Sequence, residues 1–176
     1  MKNSLPLRTL VLGGASSGKS AHAEALVRAT GRPRHYIATA QAFDAEMTAK
    51  IAAHRATRGP EWTTHEAPLD VVGPLASIPE SDICLLDCAT LWLSNQLLAE
   101  RDLEAAMEDF LAAWRSCAAP LTVVSNEVGQ GVVPEYAMGR RFREAQGRLN
   151  QALAREADHV AFVIAGLPTV LKGSPP

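Results

Sequence analysis

The segment Gly13-Gly14-Ala15-Ser16-Ser17-Gly18-Lys19-Ser20 constrains this chain more than any other. It follows a short apolar run at 9–12 (TLVL) and opens an Ala-rich helical pattern from 19 to about 29. The pattern is G-x-x-x-x-G-K-[ST], and the strand–loop–helix setting is what gives it meaning. Successive backbone N–H groups must turn inward around phosphate oxygens, and glycine tolerates the dihedrals this requires. The helix that follows aims its positive end at the anion. Lys19 then reaches the outer phosphates and the Ser20 hydroxyl can ligate magnesium, so the loop predicts binding of a purine nucleoside triphosphate.

The remaining pattern alternates short apolar runs with helical periodicity, which predicts an α/β fold with a mostly parallel central sheet and helices on both faces. Strands are expected at 35–38 (HYIA), near 62–65, at 83–86, at 121–125 and at 160–164. Helices are expected at 44–58, about 91–99, 103–117 and about 140–157, with a looser Pro-containing stretch over 59–80. The tail LKGSPP is expected to fray. There is no repeat, low-complexity segment or linker, so residues 1–176 read as one domain.

A net charge of -2 and a pI near 6.2 give no global field for nucleic acid or an anionic membrane, so phosphate recognition must be local. The N-terminal run, broken by Arg8, does not read as a signal peptide, and no apolar stretch has transmembrane length. Cys84, Cys88 and Cys117 are odd in number and lack zinc spacing; they read as reduced, partly buried thiols suited to the cytoplasm.

Asp87 closes the apolar run ICLL. As a carboxylate at the tip of a neighbouring strand it would hold magnesium with Ser20; otherwise it caps the helix starting near Thr90. The class of nucleotide protein is open at this point. An N-K-x-D guanine clamp is absent, and Asp70-Val-Val-Gly73 is only a bare D-x-x-G. Gly139-Arg-Arg-Phe-Arg143 reads either as an arginine lid of a small-molecule kinase or as the basic start of a solvated helix. On the 44–58 helix, Met47, Ile51 and His54 recur on one face, which suits a core histidine. His54 and Arg58 also lie one turn apart, which would present an imidazole and a guanidinium to a bound phosphate.

The ordered set GGAxSGKS, YIAT, DxEM, IxxHRxxR, LLDC, SNEVGxGxVPE and RLNQxLAxxAD resembles the bifunctional adenosylcobinamide kinase / adenosylcobinamide-phosphate guanylyltransferase family of cobalamin (vitamin B12) biosynthesis, from about residue 9 to 172. The resemblance implies a RecA-like P-loop NTPase fold. It implies phosphorylation of adenosylcobinamide with ATP or GTP. Transfer of GMP from GTP to adenosylcobinamide phosphate follows through a guanylyl-histidine, giving adenosylcobinamide-GDP and pyrophosphate. The motif histidine falls on His54, with Lys19 as the other catalytic residue. Nucleotide contacts carry over to the P-loop, to Ala38, Thr39 and Ala40, to Arg55, Ala56, Thr57 and Arg58, to Glu66 and to Asp87, with Mg2+ on Ser20 and Asp87. A homo-oligomer, commonly a trimer, is also implied. Ser16 departs from the family, where Arg is common, and Asp87 stands where relatives carry Glu. A different small-metabolite kinase and a nucleotide-dependent regulatory module are the competing readings.

The chemistry suits these residues. A neutral imidazole is a competent nucleophile near neutral pH, and flanking guanidiniums disfavour its cation while holding phosphate oxygens. The loop Glu127-Val-Gly-Gln-Gly-Val-Val-Pro134 follows a strand end, where α/β proteins gather ligands; it reads as a corrinoid contact or as a plain connection.

Overall fold

A computed structural model of the chain describes residues 5–42 and 45–174, and within 45–58 the side chains of all but Glu46, Met47, Lys50, His54, Arg55 and Thr57. Asp44, expected to open a helix, lies outside the described residues. Strand β1 (Arg8–Gly13) leads into α1 (Lys19–Ala29), and β2 (Arg34–Ala38) into α2 (Ala45–Arg58). Then come β3 (Trp62–Glu66), α3 (Val72–Ser77), β4 (Ile83–Asp87), α4 (Ala89–Leu98), α5 (Leu103–Ser116) and β5 (Leu121–Asn126). The chain closes with α6 (Ala137–Glu156), β6 (His159–Ile164) and β7 (Leu167–Lys172). The strands form one sheet in the order β3-β2-β4-β5-β1-β6-β7, parallel except for β7.

Alternation along each strand sorts side chains onto two cores. Leu10, Leu12, Leu86 and Val123 pack with α3, α4, α5 and α6, burying Trp92, Phe110, Trp114 and Leu149. Val11, Leu85, Val124 and Val163 face α1 at Ala23 and Val27. Strands buried on both faces read as continuous apolar runs, which is why 9–12 and 83–86 were legible.

Four expectations change. Asp87 is not on a strand adjacent to β1: β5 lies between them, so the two tips stand two strand spacings, about 10 Å, apart. Asp87 does not cap α4; Cys88 is the N-cap, its thiol accepting from the Leu91 N–H at 3.4 Å. The looser stretch over 59–80 contains α3, held by Leu75, which is 1% exposed. The tail does not fray at Leu171: β7 pairs antiparallel with β6 through Lys172. The turn between them has Ala165 at φ 52° and Gly166 at φ 78°, the two left-handed residues of a type I′ hairpin.

No helix among the described residues is long and apolar enough to cross a membrane. Cys84, Cys88 and Cys117 are free and buried. Burial pushes the Cys88 thiol up to about 11, so it stays protonated as a small apolar cap.

Candidate functional site

The P-loop leaves the end of β1 and turns into α1. Gly18 is the N-cap at φ 92° and Ser16 takes φ 54°, so the loop reverses twice within three residues. Gly18 is required here for a second reason. A Cβ would sit 3.1 Å from Gly166 Cα, in the hairpin turn that braces the loop through Gly166 N–H to Ser17 O at 2.7 Å. Lys19 is 9% exposed and donates from Nζ to Gly14 O at 2.9 Å, which bends its ammonium back over the loop. An ammonium has three N–H donors, so others are left for phosphate oxygens. The Ser17 hydroxyl is buried and unpartnered among the described residues. A buried lysine, a helix N-terminus and unmatched donors around one loop make a fitting anion cradle.

The acidic side of the site is built by register. Ala38 pairs with both Glu66 and Asp87, so the tips of β3, β2 and β4 align. Tyr36 and Asp87 lie close enough on the neighbouring strands β2 and β4 for the carboxylate to act on the phenol. Burial, and then the neighbouring Asp87 carboxylate, push the Tyr36 hydroxyl far above its usual 10, so it remains a donor. Arg58 is buried, with its guanidinium carbon 3.5 Å from the Tyr36 ring centroid, a cation–π contact that draws the end of α2 onto the α1 face. Arg28 fixes the same point by donating to Arg58 O at 3.0 Å. Thr39 is fully buried; its hydroxyl donates to Cys88 O and accepts from Cys88 N–H, both at 2.8 Å. Its side chain thus locks β2 to the turn after Asp87. Asn95 adds a bond to Thr39 O at 2.8 Å.

The expected site residues therefore gather at the carboxyl ends of parallel strands. Gly13 to Ser20 lie at the tip of β1, Ala38 to Ala40 at β2, Glu66 at β3 and Asp87 at β4, with Arg58 over Tyr36. Ala56 is exposed on α2. His54, Arg55 and Thr57 have helical backbone in α2, and their side chains lie outside the described residues. Ser20 and Asp87 are oxygen donors suited to a hard cation such as Mg2+. Among the described residues no cluster of three His, Cys, Asp or Glu forms a metal cage.

The arginines after Gly139 form the basic start of a largely solvated helix, with Arg140 and Arg141 exposed in the first turns of α6. Arg140 donates to Pro134 O and Glu135 O, and Arg143 to Gly129 O and Gly131 O, strapping the 127–136 loop to α6. Tyr36 and Asn126 were missed as site residues. Each lies inside a motif, YIAT for Tyr36 and SNEVGxGxVPE for Asn126, but neither motif says which strand tips stand beside it.

A phosphate loop at the tip of a central parallel strand, faced across one intervening strand by an acidic strand end, defines a RecA-like P-loop nucleotide-binding protein. The fold is shared with the flagellar accessory protein FlaH from Methanocaldococcus jannaschii, at a TM-score of 0.52 and 13% identity over 96% of this chain and 80% of that one. The chain belongs to the cobinamide kinase / cobinamide phosphate guanyltransferase family, whose model matches residues 9–171. It is 46% identical to the bifunctional adenosylcobalamin biosynthesis protein CobP of Pseudomonas aeruginosa over 96% of this chain and 99% of that protein. It is 39% identical to the bifunctional adenosylcobalamin biosynthesis protein CobU of Salmonella typhimurium over 93% and 98%.

Proposed function

We propose that this chain, acting as one catalytic domain, phosphorylates adenosylcobinamide and then guanylylates the product, using one nucleotide site for both reactions. The observation that carries this reading is the family match over 9–171, joined to a P-loop whose buried Lys19 faces Asp87 across β5. In the first step the substrate hydroxyl oxygen attacks the γ-phosphorus of ATP or GTP. The bond to the β-phosphate oxygen breaks, a nucleoside diphosphate leaves and the hydroxyl proton passes to water. The loop N–H groups and Lys19 hold the chain of phosphates in line, which is most of what phosphoryl transfer demands.

In the second step a His54 ring nitrogen attacks the α-phosphorus of GTP and pyrophosphate leaves. A phosphate oxygen of adenosylcobinamide phosphate then attacks the same phosphorus, giving adenosylcobinamide-GDP and restoring the imidazole. Arg55 and Arg58 steady the charge that develops on the departing pyrophosphate. Ala38 to Ala40 and Glu66 line the nucleotide at the strand ends. Magnesium on Ser20 and Asp87 would supply charge neutralisation along the triphosphate. A cytoplasmic homo-oligomer, a trimer on the family pattern, belongs to the same reading.

His54→Ala, assayed for each step, is expected to lose guanylyl transfer and keep phosphorylation. Wild-type protein incubated with α-labelled GTP should carry an acid-labile, base-stable label that His54→Ala lacks. Lys19→Ala should lower both steps by about 10²–10³, the usual cost of removing one charge-stabilising donor. Equal loss of both activities in His54→Ala would sink the division of labour.

A further inference from the structure

Strand β5 reaches further toward the ligand end of the sheet than β4 does. Asp87 pairs with Val124, whereas Asn126, two residues beyond, is level with Gly13. Alternation gives Asn126 the α1 face, since Val124 belongs to the core under α1 and Ser125 turns to the opposite face to meet α6. Lys19, Tyr36 and Asp87 serve that same α1 face. A group extending from Lys19 on one side to Asp87 on the other must cross the tip of β5, where the terminal side chain is Asn126. Its Oδ1 is buried and unpartnered among the described residues. The residue is half-buried and its Nδ2 donates to no described residue, so the carboxamide keeps a donor free for an incoming anion.

The backbone of Asn126 is fixed to an unusual degree. Its N–H donates to Thr90 Oγ1 at 2.7 Å, from α4, and its carbonyl accepts from Asn150 Nδ2 at 3.0 Å, from α6. Asn150 Oδ1 in turn accepts from Ser125 Oγ at 2.6 Å and from Gln146 Nε2 at 2.9 Å. Thr90, Ser125, Gln146 and Asn150 are all buried, on a face that is otherwise apolar. Buried polar groups of this kind cost stability unless they are matched; here all but Gln146 Oε1 are, and matched groups fix one geometry. The next residue is tied to the loop itself, Glu127 N–H donating to Gly13 O at 3.0 Å. The network therefore sets one carboxamide rigidly between the phosphate loop and the acidic strand end.

We propose that Asn126 reads the terminal phosphate of the bound nucleotide, distinguishing triphosphate from diphosphate and steadying the γ-phosphoryl group for transfer, with Thr90 and Asn150 as positioning residues. The inference rests on the triphosphate assignment of the loop and requires neither the corrinoid substrate nor His54.

The test is calorimetry with a non-hydrolysable GTP analogue and with GDP, each with magnesium, on wild-type protein, Asn126→Ala and Asn126→Asp. Wild-type protein should prefer the triphosphate analogue. Asn126→Ala should lose about 10-fold or more of that preference, the worth of one hydrogen bond to a charged oxygen, while GDP binding holds within about 2-fold. Asn126→Asp, of the same shape, should lose more by placing a carboxylate against phosphate, and it decides the matter if Asn126→Ala does not fold. A preference unchanged in the folded variants, or equal weakening of both nucleotides, overturns the proposal. If wild-type protein binds nucleotide with this preference yet transfers nothing to cobinamide, the bifunctional reading fails and Asn126 keeps its role. Thr90→Val should lower kcat of phosphoryl transfer with little change in nucleotide KM, and Thr90→Ser should restore it. Loss confined to KM would argue against positioning.

Discussion

At the scale of single residues the two glycines that open the phosphate loop make opposite demands. A Cβ on Gly13 would collide with the Ser17 hydroxyl and lie 2.7 Å from Val163 O, a backbone atom of β6 that cannot swing aside. A Cβ on Gly14 would meet nothing within 4 Å. Gly13→Ala is expected to cost about 1–3 kcal/mol, the usual penalty of overpacking, and Gly14→Ala to stay within about 0.5 kcal/mol. Paired thermal melts of the two variants measure the difference, and equal melting temperatures would contradict it. The P-loop could be read from sequence because its constraint is local: eight successive residues carry both the backbone conformation and the chemistry. Arg58 was readable from IxxHRxxR, whereas the places of Tyr36 and Asn126 in the site were not legible in the same way. Their partners come from strands and helices whose order in the sheet no single segment states. Asp87 shows the boundary well, since its place at a strand end was readable and the strand lying between it and the loop was not.

Elements with a local signal emerged where expected. Helix α5 is the plainest, opened by Asp102, whose carboxylate accepts from the Glu104 N–H at 3.0 Å and the Ala105 N–H at 3.2 Å. It then buries Leu103, Met107, Phe110 and Trp114 at helical spacing. Asp102→Ala should cost about 1 kcal/mol through loss of the cap, with both transfer activities unchanged; a denaturant midpoint that does not move would show that the cap contributes nothing. Elements without such a signal were missed. Helix α3 spans six residues, one of them Pro74, too short for periodicity to register. Strand β7 is exposed along its whole length and carries Pro168, so it has neither an apolar run nor alternation. Its existence depends on pairing with β6. The hairpin turn is disguised because alanine, not asparagine, stands at the first left-handed position.

Across the whole molecule, histidines join segments distant in sequence on both sides of the sheet. On one edge His35 Nδ1 lies 3.0 Å from His65 Nε2, and His35 Nε2 lies 2.9 Å from Asp82 Oδ2, tying β2, β3 and the approach to β4. Toward the other edge His22 of α1 feels His159, which is 1% exposed at the start of β6. Burial, and then the neighbouring His35, hold His65 below the usual 6.5; burial, and then His159, do the same for His22. Both histidines therefore bind a proton less readily folded than unfolded. As pH falls through about 6.5 the unfolded chain takes up protons that the native state resists, so stability declines from that point downward. Asp82 acts in a lower window with the same sense. Its hydrogen bond from Ser81, then that from His35, hold its carboxyl below 3.8, so its contribution is present above that value and is lost as pH falls beneath it. Urea midpoints should thus be level near neutral pH and drop by about pH 5.5, and the double variant His22→Gln/His65→Gln should flatten that drop. The two sites lie on different elements and share no partner, so their effects should add, and each single variant should remove part of the slope. Midpoints that hold constant from about pH 7.5 to about pH 5.5, or a double variant with the full wild-type slope, would show that these histidines do not set the acid limit of the fold.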